Sequence, residues 1–72
     1  METINIKLLF GNNVKKYRKL LGLTQEQLAI QTGLHRTYIS EVERGLRNVS
    51  LENIYILSKA LEIKMSDLLT FD

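Results

Sequence analysis

Five polar residues near the middle of the chain have the spacing of one face of a helix. Their guanidinium, hydroxyl and carboxylate groups all donate or accept hydrogen bonds, and a face this polar is poorly suited to burial. The spacing therefore predicts a surface directed at a hydrogen-bonding partner instead of the core. The five lie at positions i, i+1, i+4, i+5 and i+8, and are Arg36, Thr37, Ser40, Glu41 and Arg44.

This polar face falls within TQEQLAIQTGLHRTYISEVERG, residues 24–45, which predicts two short helices joined by a turn. Thr24 and Gln27 have the spacing of a capping box and start the first helix. Gly33 supplies the positive φ that the turn needs, and the second helix covers about residues 34–44. A helix–turn–helix of this kind docks its second helix in the major groove of DNA, amino-terminal residues first. The apolar positions expected to face inward are Leu28, Ala29, Leu34, Ile39 and Val42.

Composition narrows the classes of protein that this chain can belong to. Its 72 residues make one small domain, expected to span residues 1–72. It has no Cys and a single His, and it has neither a phosphate-binding glycine loop nor paired carboxylates at helical spacing. We therefore expect no enzyme activity and no metal, cofactor or small-molecule ligand. Short apolar runs and the absence of a signal peptide predict no membrane association and a cytoplasmic location.

Charge is distributed unevenly along the chain. Residues 7–47 carry eight Lys or Arg against three acidic residues, a net charge of +5. Residues 48–72 carry two Lys against four acidic residues, a net charge of −2. A basic first part and a mildly acidic tail suit a domain that presents one surface to a polyanion and another to a different partner.

A first helix is predicted over about residues 6–21, with Asn5 as its N-cap and Gly22 as its terminator. Gly11 lies within this pattern and lowers the helix propensity by about 1 kcal/mol relative to Ala, which indicates either the close approach of a neighbouring helix, the explanation we favour, or a break in the helix. Leu23 should pack back onto the core. The apolar stripe at helical period consists of Phe10, Val14, Tyr17 and Leu21.

Arg18 borders this apolar stripe, and Glu43 lies near the end of the second motif helix. We predict that the two form a partly buried ion pair that ties the first helix to the recognition helix. Such a pair would set the angle at which the recognition helix is presented. Both residues are therefore treated as structural and not as contacts to DNA.

Two further helices complete the predicted all-α bundle of five short helices. Ser50 should cap a fourth helix that ends near residue 61, and Ser66 or Asp67 should cap a fifth. Tyr55 and Ile56 fall off the core-facing row of the fourth helix, and belong either to a self-association patch or to the margin of the core. The row expected to face the core is Leu51, Ile54, Leu57 and Leu61.

Three runs of the sequence, GLTQEQLA, GLHRTYISEVERG and RNVSLENIYILSKALEI, resemble the lambda-repressor-like helix–turn–helix family over residues 10–71. Within this family, HRTYISEVERGLRNVS is most similar to the controller proteins of restriction–modification systems. The resemblance implies a homodimeric transcriptional regulator that binds a pseudo-palindromic operator upstream of its own gene, with RNA polymerase as a candidate further partner. The alternative is a small repressor or antitoxin of the same fold whose tail binds another protein.

The resemblance also implies which residues touch DNA. It places Arg36, Thr37 and Ser40 at the base edges, and a guanidinium can bond the O6 and N7 of a guanine together. Tyr38 would either touch sugar-phosphate or pack internally, and His35 would cap the helix or bind phosphate. Glu41 needs a cytosine N4 donor or must point away from DNA. The remaining backbone contacts implied are Gln25, Arg44, Arg47, Asn48 and Ser50.

The resemblance to dimeric regulators implies a second surface, in a dimerisation region of about residues 50–72. Leu69 and Phe71 near the end of the chain either finish the core or extend the patch of the fourth helix. The residues assigned to the dimer interface are Tyr55, Ile56, Lys59, Leu69 and Phe71.

Overall fold

The computed structural model describes residues 4–71, and this part of the chain contains five helices and no strand. The all-α, five-helix prediction is thereby confirmed. Residues 1–3 and Asp72 of the predicted domain lie outside the described part. The helices are α1 (Ile6–Leu20), α2 (Gln25–Thr32), α3 (Arg36–Glu43), α4 (Leu51–Ala60) and α5 (Met65–Leu68).

The predicted starts of α1, α2 and α4 are confirmed by side-chain caps. Asn5 Oδ1 accepts from the Leu8 N–H at 3.1 Å, and Ser50 Oγ accepts from the Asn53 N–H at 3.1 Å. At the start of α2, Thr24 Oγ1 accepts from the Gln27 N–H while Gln27 Oε1 accepts from the Thr24 N–H. Each bond satisfies an amide that has no partner inside its helix.

Two helix boundaries differ from the predictions. α3 begins at Arg36 and not at residue 34, because His35 keeps an extended backbone with ψ of 143°. α5 begins after Lys64, so neither Ser66 nor Asp67 is its N-cap. Instead, Asp67 Oδ2 accepts from the Lys64 N–H at 3.0 Å, which places its carboxylate in the first turn, where a negative charge is favoured.

The core lies where α3 meets α1 and α2, and α4 and α5 close it from the other end. α3 contacts both α1 and α2, while α4 contacts α2 and α5. Each helix contributes at least one buried apolar side chain, and burial of these side chains is the main force that holds the bundle together. The buried apolar residues are Phe10, Val14, Leu28, Ala29, Ile39, Val42, Leu57, Leu61 and Leu68.

Two residues expected in the core are exposed. Leu51 is 72% exposed, because it is the first residue of α4 and lies at the edge of the bundle. Seven residues further along, on the same face of the helix, Ser58 is buried. Ser58 tolerates burial since its hydroxyl donates to the Tyr55 carbonyl oxygen at 2.7 Å. Leu21 lies just past the end of α1 and is also exposed, whereas Leu23 packs on the core as predicted.

Gly11 marks the point where α1 approaches the end of α3. A Cβ built on Gly11 would overlap the Val42 carbonyl oxygen and lie 2.9 Å from the carbonyl oxygen of Glu43. Both obstacles are backbone atoms, so a side chain here would push the two helices apart. The close approach predicted from this glycine is confirmed.

We expect Gly11→Ala to lower the free energy of unfolding by about 1–3 kcal/mol, because overpacking outweighs the gain in helix propensity. The measurement is the urea midpoint at constant m-value. Asn12→Ala, at an exposed position in the same helix, is the matched control and should leave the midpoint unchanged or slightly raised. A stabilised Gly11→Ala variant would show that the helices have room to adjust.

Candidate nucleic-acid interface

A buried ion pair joins α1 to the carboxyl-terminal end of α3. Arg18 Nε donates to Glu43 Oε2 at 2.7 Å, and Arg18 Nη2 donates to Glu43 Oε1 at 2.9 Å. The two side chains are only 10% and 3% exposed. The hydrogen bond with Glu43 raises the pKa of Arg18 above its ordinary value, although burial opposes this shift. A bidentate pair has little freedom to rotate, so it fixes α3 against α1.

The remaining polar atoms of the pair are satisfied by α2 and the turn before it. Arg18 Nη1 donates to the Leu23 carbonyl oxygen at 2.8 Å, and Gln25 Nε2 donates to Glu43 Oε1 at 3.1 Å. Glu43 therefore links three helices through one carboxylate. Gln25, assigned from sequence to a phosphate, has its amide nitrogen directed at this ion pair. The sequence offers no signal for this contact, because the two residues lie on different helices far apart in the chain.

The amino-terminal end of α3 is the exposed part of the predicted recognition helix. His35, Arg36 and Thr37 are all exposed, while Ser40 one turn later is half-buried. His35 occupies the N-cap position of α3, one of the two roles considered for it, but its side chain makes no capping hydrogen bond. The structure thus leaves the guanidinium of Arg36 and the hydroxyl of Thr37 facing outward.

A second ion pair lies on this surface and involves Glu41. Arg47 Nε donates to Glu41 Oε1 at 2.8 Å, so Glu41 is directed towards the loop after α3. The Arg47 guanidinium also lies 5.2 Å from the centre of the Tyr38 ring. Tyr38 packs against the core, and its hydroxyl oxygen accepts from Asn53 Nδ2 at 3.0 Å.

The other residues assigned to the DNA backbone lie around the loop between α3 and α4. Arg44 and Asn48 are exposed. Ser50 is exposed as well, but its hydroxyl oxygen is used to cap α4. Of the residues in this loop, Arg47 lines a surface depression together with His35 and Thr37 at the exposed end of α3.

The residues assigned to a dimer interface fall into two groups. Tyr55 and Ile56 line an open apolar groove that also includes Leu51 and Met65, and Tyr55 is 52% exposed. Lys59 extends this group, since its ammonium lies 5.7 Å from the centre of the Tyr55 ring. Leu69 and Phe71 line a different depression that also includes Phe10 and Val49. The structure therefore brings Tyr55, Ile56 and Lys59 together on one surface, and places Leu69 and Phe71 on another.

Within residues 4–71 no helix has both the length and the apolar character needed to cross a bilayer. Nor do His, Asp and Glu side chains gather there into a group of three or more that could bind a metal ion.

Comparison with known proteins identifies relatives of the whole fold. The family described as "Helix-turn-helix" matches residues 14–68. Control protein C.BamHI of Bacillus amyloliquefaciens is 54% identical over 70 residues, which cover 96% of this chain and 86% of that protein. The crystal structure of the restriction–modification controller protein C.AhdI from Aeromonas hydrophila is 47% identical, with a TM-score of 0.84, and the match covers 86% of this chain and 94% of that one. The controller protein C.Esp1396I, solved as a tetramer with its natural 35-base-pair operator, is 31% identical with a TM-score of 0.78, covering 96% and 100%.

The two ion pairs should contribute very differently to stability. We expect Glu43→Ala to lower the free energy of unfolding by about 3–5 kcal/mol, because it leaves the buried Arg18 charge unpaired. Glu41→Ala removes the partner of a half-exposed arginine and should cost less than about 1 kcal/mol. The measurement is urea denaturation followed by circular dichroism.

A compensating double substitution tests the origin of the larger effect. Replacing the pair by Arg18→Met together with Glu43→Leu removes both charges at similar volume and should restore much of the lost stability. Equal costs for Glu43→Ala and Glu41→Ala would contradict the assignment of the buried pair as the structural one.

Proposed function

This chain belongs to the helix-turn-helix family, and we propose that it is a sequence-specific transcriptional regulator, the controller protein of a restriction–modification system. In this proposal it binds, as a homodimer, a pseudo-palindromic operator upstream of its own gene. The observation that carries the proposal is the exposed polar end of α3, which is held in a fixed position by the buried Arg18–Glu43 pair. The similarity to controller proteins over nearly the whole chain supports the choice within the family.

Base recognition is assigned to the exposed end of α3. The Arg36 fork suits the O6 and N7 of guanine, and the Thr37 hydroxyl and methyl suit a mixed base edge or a thymine methyl. Ser40 lies one turn further along and is half-buried, so it would reach only a base close to the helix. The amino-terminal end of the recognition helix is also the part that enters the groove in helix–turn–helix complexes.

Phosphate contacts flank this end of the helix on both sides. His35 lies directly before α3. Tyr38 packs against the core and accepts from Asn53, but its O–H group can still donate to a phosphate. The Gln25 amide nitrogen is bonded to Glu43, so the contact assigned to Gln25 would be made by the backbone N–H groups at the start of α2, which favour an anion. These contacts position the protein on DNA without reading its sequence, and make binding sensitive to salt. The contacts assigned to the loop after α3 are Arg44, Arg47, Asn48 and Ser50.

A dimer is proposed through the apolar groove of α4 and α5. Tyr55, Ile56 and Lys59 would meet their counterparts in a second copy, as in a two-fold interface. The two recognition helices would then lie about 34 Å apart, one turn of DNA. A regulator that activates transcription also needs a surface for RNA polymerase, so polymerase is a further partner in this proposal. Its site of action is the cytoplasm.

The proposal is tested by fluorescence anisotropy with two labelled duplexes across a salt series. One duplex carries the sequence immediately upstream of the gene and the other carries the same bases in scrambled order. We expect a preference for the upstream duplex by several orders of magnitude, with two chains bound per site. Equal, weak and salt-sensitive binding to both duplexes would contradict operator recognition and favour the antitoxin-like alternative.

Arg36→Ala should weaken binding to the upstream duplex by about 10-fold or more and relax the preference at one base pair of each half-site. Binding to a panel of duplexes with single base changes measures both effects. Asn48→Ala is the control, because loss of a phosphate contact should weaken all duplexes alike. If Arg36→Ala leaves the preferred sequence unchanged, Arg36 does not read a base.

Ile56→Glu should shift the protein towards monomer in sedimentation velocity, because it places a charge in the apolar groove of both copies. Leu20→Glu makes the same kind of change at an exposed position on α1 and should leave the dimer intact. If Ile56→Glu remains dimeric, the interface lies elsewhere, and Leu69 and Phe71 become the next candidates.

A further inference from the structure

Arg47 is held from two directions although it lies in a loop and its side chain is 51% exposed. Glu41 accepts a hydrogen bond from its Nε at 2.8 Å, and the ring of Tyr38 lies 5.2 Å from its guanidinium carbon. Tyr38 is itself fixed by Asn53 of α4. An exposed arginine normally samples many rotamers, so this arrangement restricts a side chain that would otherwise be free.

The contacts leave the outer edge of the guanidinium available. Glu41 bonds only Nε, and neither Nη group of Arg47 donates a hydrogen bond to any residue in the range 4–71. Arg47 also lines one surface depression together with His35 and Thr37, so its free edge lies beside the exposed end of α3. A guanidinium with two free Nη groups suits a phosphate oxygen.

From these contacts we infer that Glu41 is a positioning residue that sets sequence discrimination by fixing Arg47. The inference rests on the proposed function, since it concerns how the same surface distinguishes its operator from other DNA. Because the Arg47 guanidinium is held in one orientation, it contacts a phosphate only when α3 is correctly positioned in the major groove of the operator. An unrestrained Arg47 would instead find a phosphate on any duplex and would strengthen binding without regard to sequence.

Two other roles for Glu41 can be separated from the positioning role. A stabilising role is small, because ion pairs between exposed side chains contribute little. A direct contact to a cytosine N4 would have to be made by Glu41 Oε2, because Arg47 Nε already bonds Oε1. Such a contact would not depend on Arg47, whereas the positioning role does.

The test compares Glu41→Ala with the unaltered protein, using the upstream duplex and its scrambled counterpart in a salt series. We expect tighter binding to the scrambled duplex, with a salt slope steeper by about one unit per subunit. The ratio of the two affinities should fall by about 10-fold. Glu41→Gln keeps an oxygen that can accept from Arg47 Nε, so it should retain more of the ratio than Glu41→Ala.

Glu26→Ala is the matched control for charge. Glu26 is an exposed acidic residue of α2 near Arg36, and it forms no ion pair within the described part of the chain. Its removal should strengthen binding to both duplexes alike and keep their ratio. A ratio that falls equally in Glu26→Ala and Glu41→Ala would overturn the inference, because the effect would then come from charge alone.

A double-mutant cycle with Arg47→Ala tests whether Glu41 acts through Arg47. In the Arg47→Ala background, Glu41→Ala should change the affinity ratio by less than about twofold. An undiminished effect there would overturn the inference and favour direct contact of Glu41 with a base. An unchanged ratio in the single Glu41→Ala variant would also overturn it. If the unaltered protein does not distinguish the duplexes at all, the proposed function itself fails.

Discussion

The relative positions of α1, α2 and α3 depend on the buried ion pair between Arg18 and Glu43, which lies where the three helices meet. Two charges taken out of water are costly unless each polar atom finds a partner, and here the Leu23 carbonyl and the Gln25 amide complete the set. The pair is therefore formed only when α1, α2 and α3 are in their correct relative positions. Gly11 constrains the relative position of α1 and α3 sterically, because the backbones of the two helices come into contact there. Together, the ion pair and the contact at Gly11 fix the direction of α3 relative to the core.

The two ion pairs described above divide into an inner pair, Arg18 with Glu43, and an outer pair, Glu41 with Arg47. The inner pair is shielded from solvent and defines geometry, while the outer pair of Glu41 and Arg47 lies at the surface beside the exposed end of α3. Residues of the outer pair remain available to a ligand, and their interactions are screened by salt. A rigid frame that carries polar side chains on one helix end is what reading base edges requires, because discrimination depends on hydrogen-bond geometry. The acidic, partly apolar region of α4 and α5 is separate from this surface.

Much of this arrangement could be predicted from sequence because its signals are local. Capping residues, positive-φ glycines and apolar periodicity all act within a few residues, and they located every helix to within a few positions. Leu51 was misplaced because helical periodicity gives the face of a residue but not whether the first turn of the helix extends past the core, as that of α4 does. The bond between Gln25 and Glu43 and the pairing of Glu41 with Arg47 depend on tertiary distances that no local pattern encodes. The assignment of bases and phosphates came from family resemblance and remains a prediction.

The central claim is that the exposed end of α3 and the loop after it form the surface that binds DNA. The most direct test is a titration of ¹⁵N-labelled protein with the upstream duplex, followed by amide chemical shifts. We predict that the shifts concentrate at residues 35–41, at the loop 44–50 and at the first turn of α2. They should be small on the outer face of α4. Shifts confined to α4 and α5, with those of α3 unchanged, would contradict the claim.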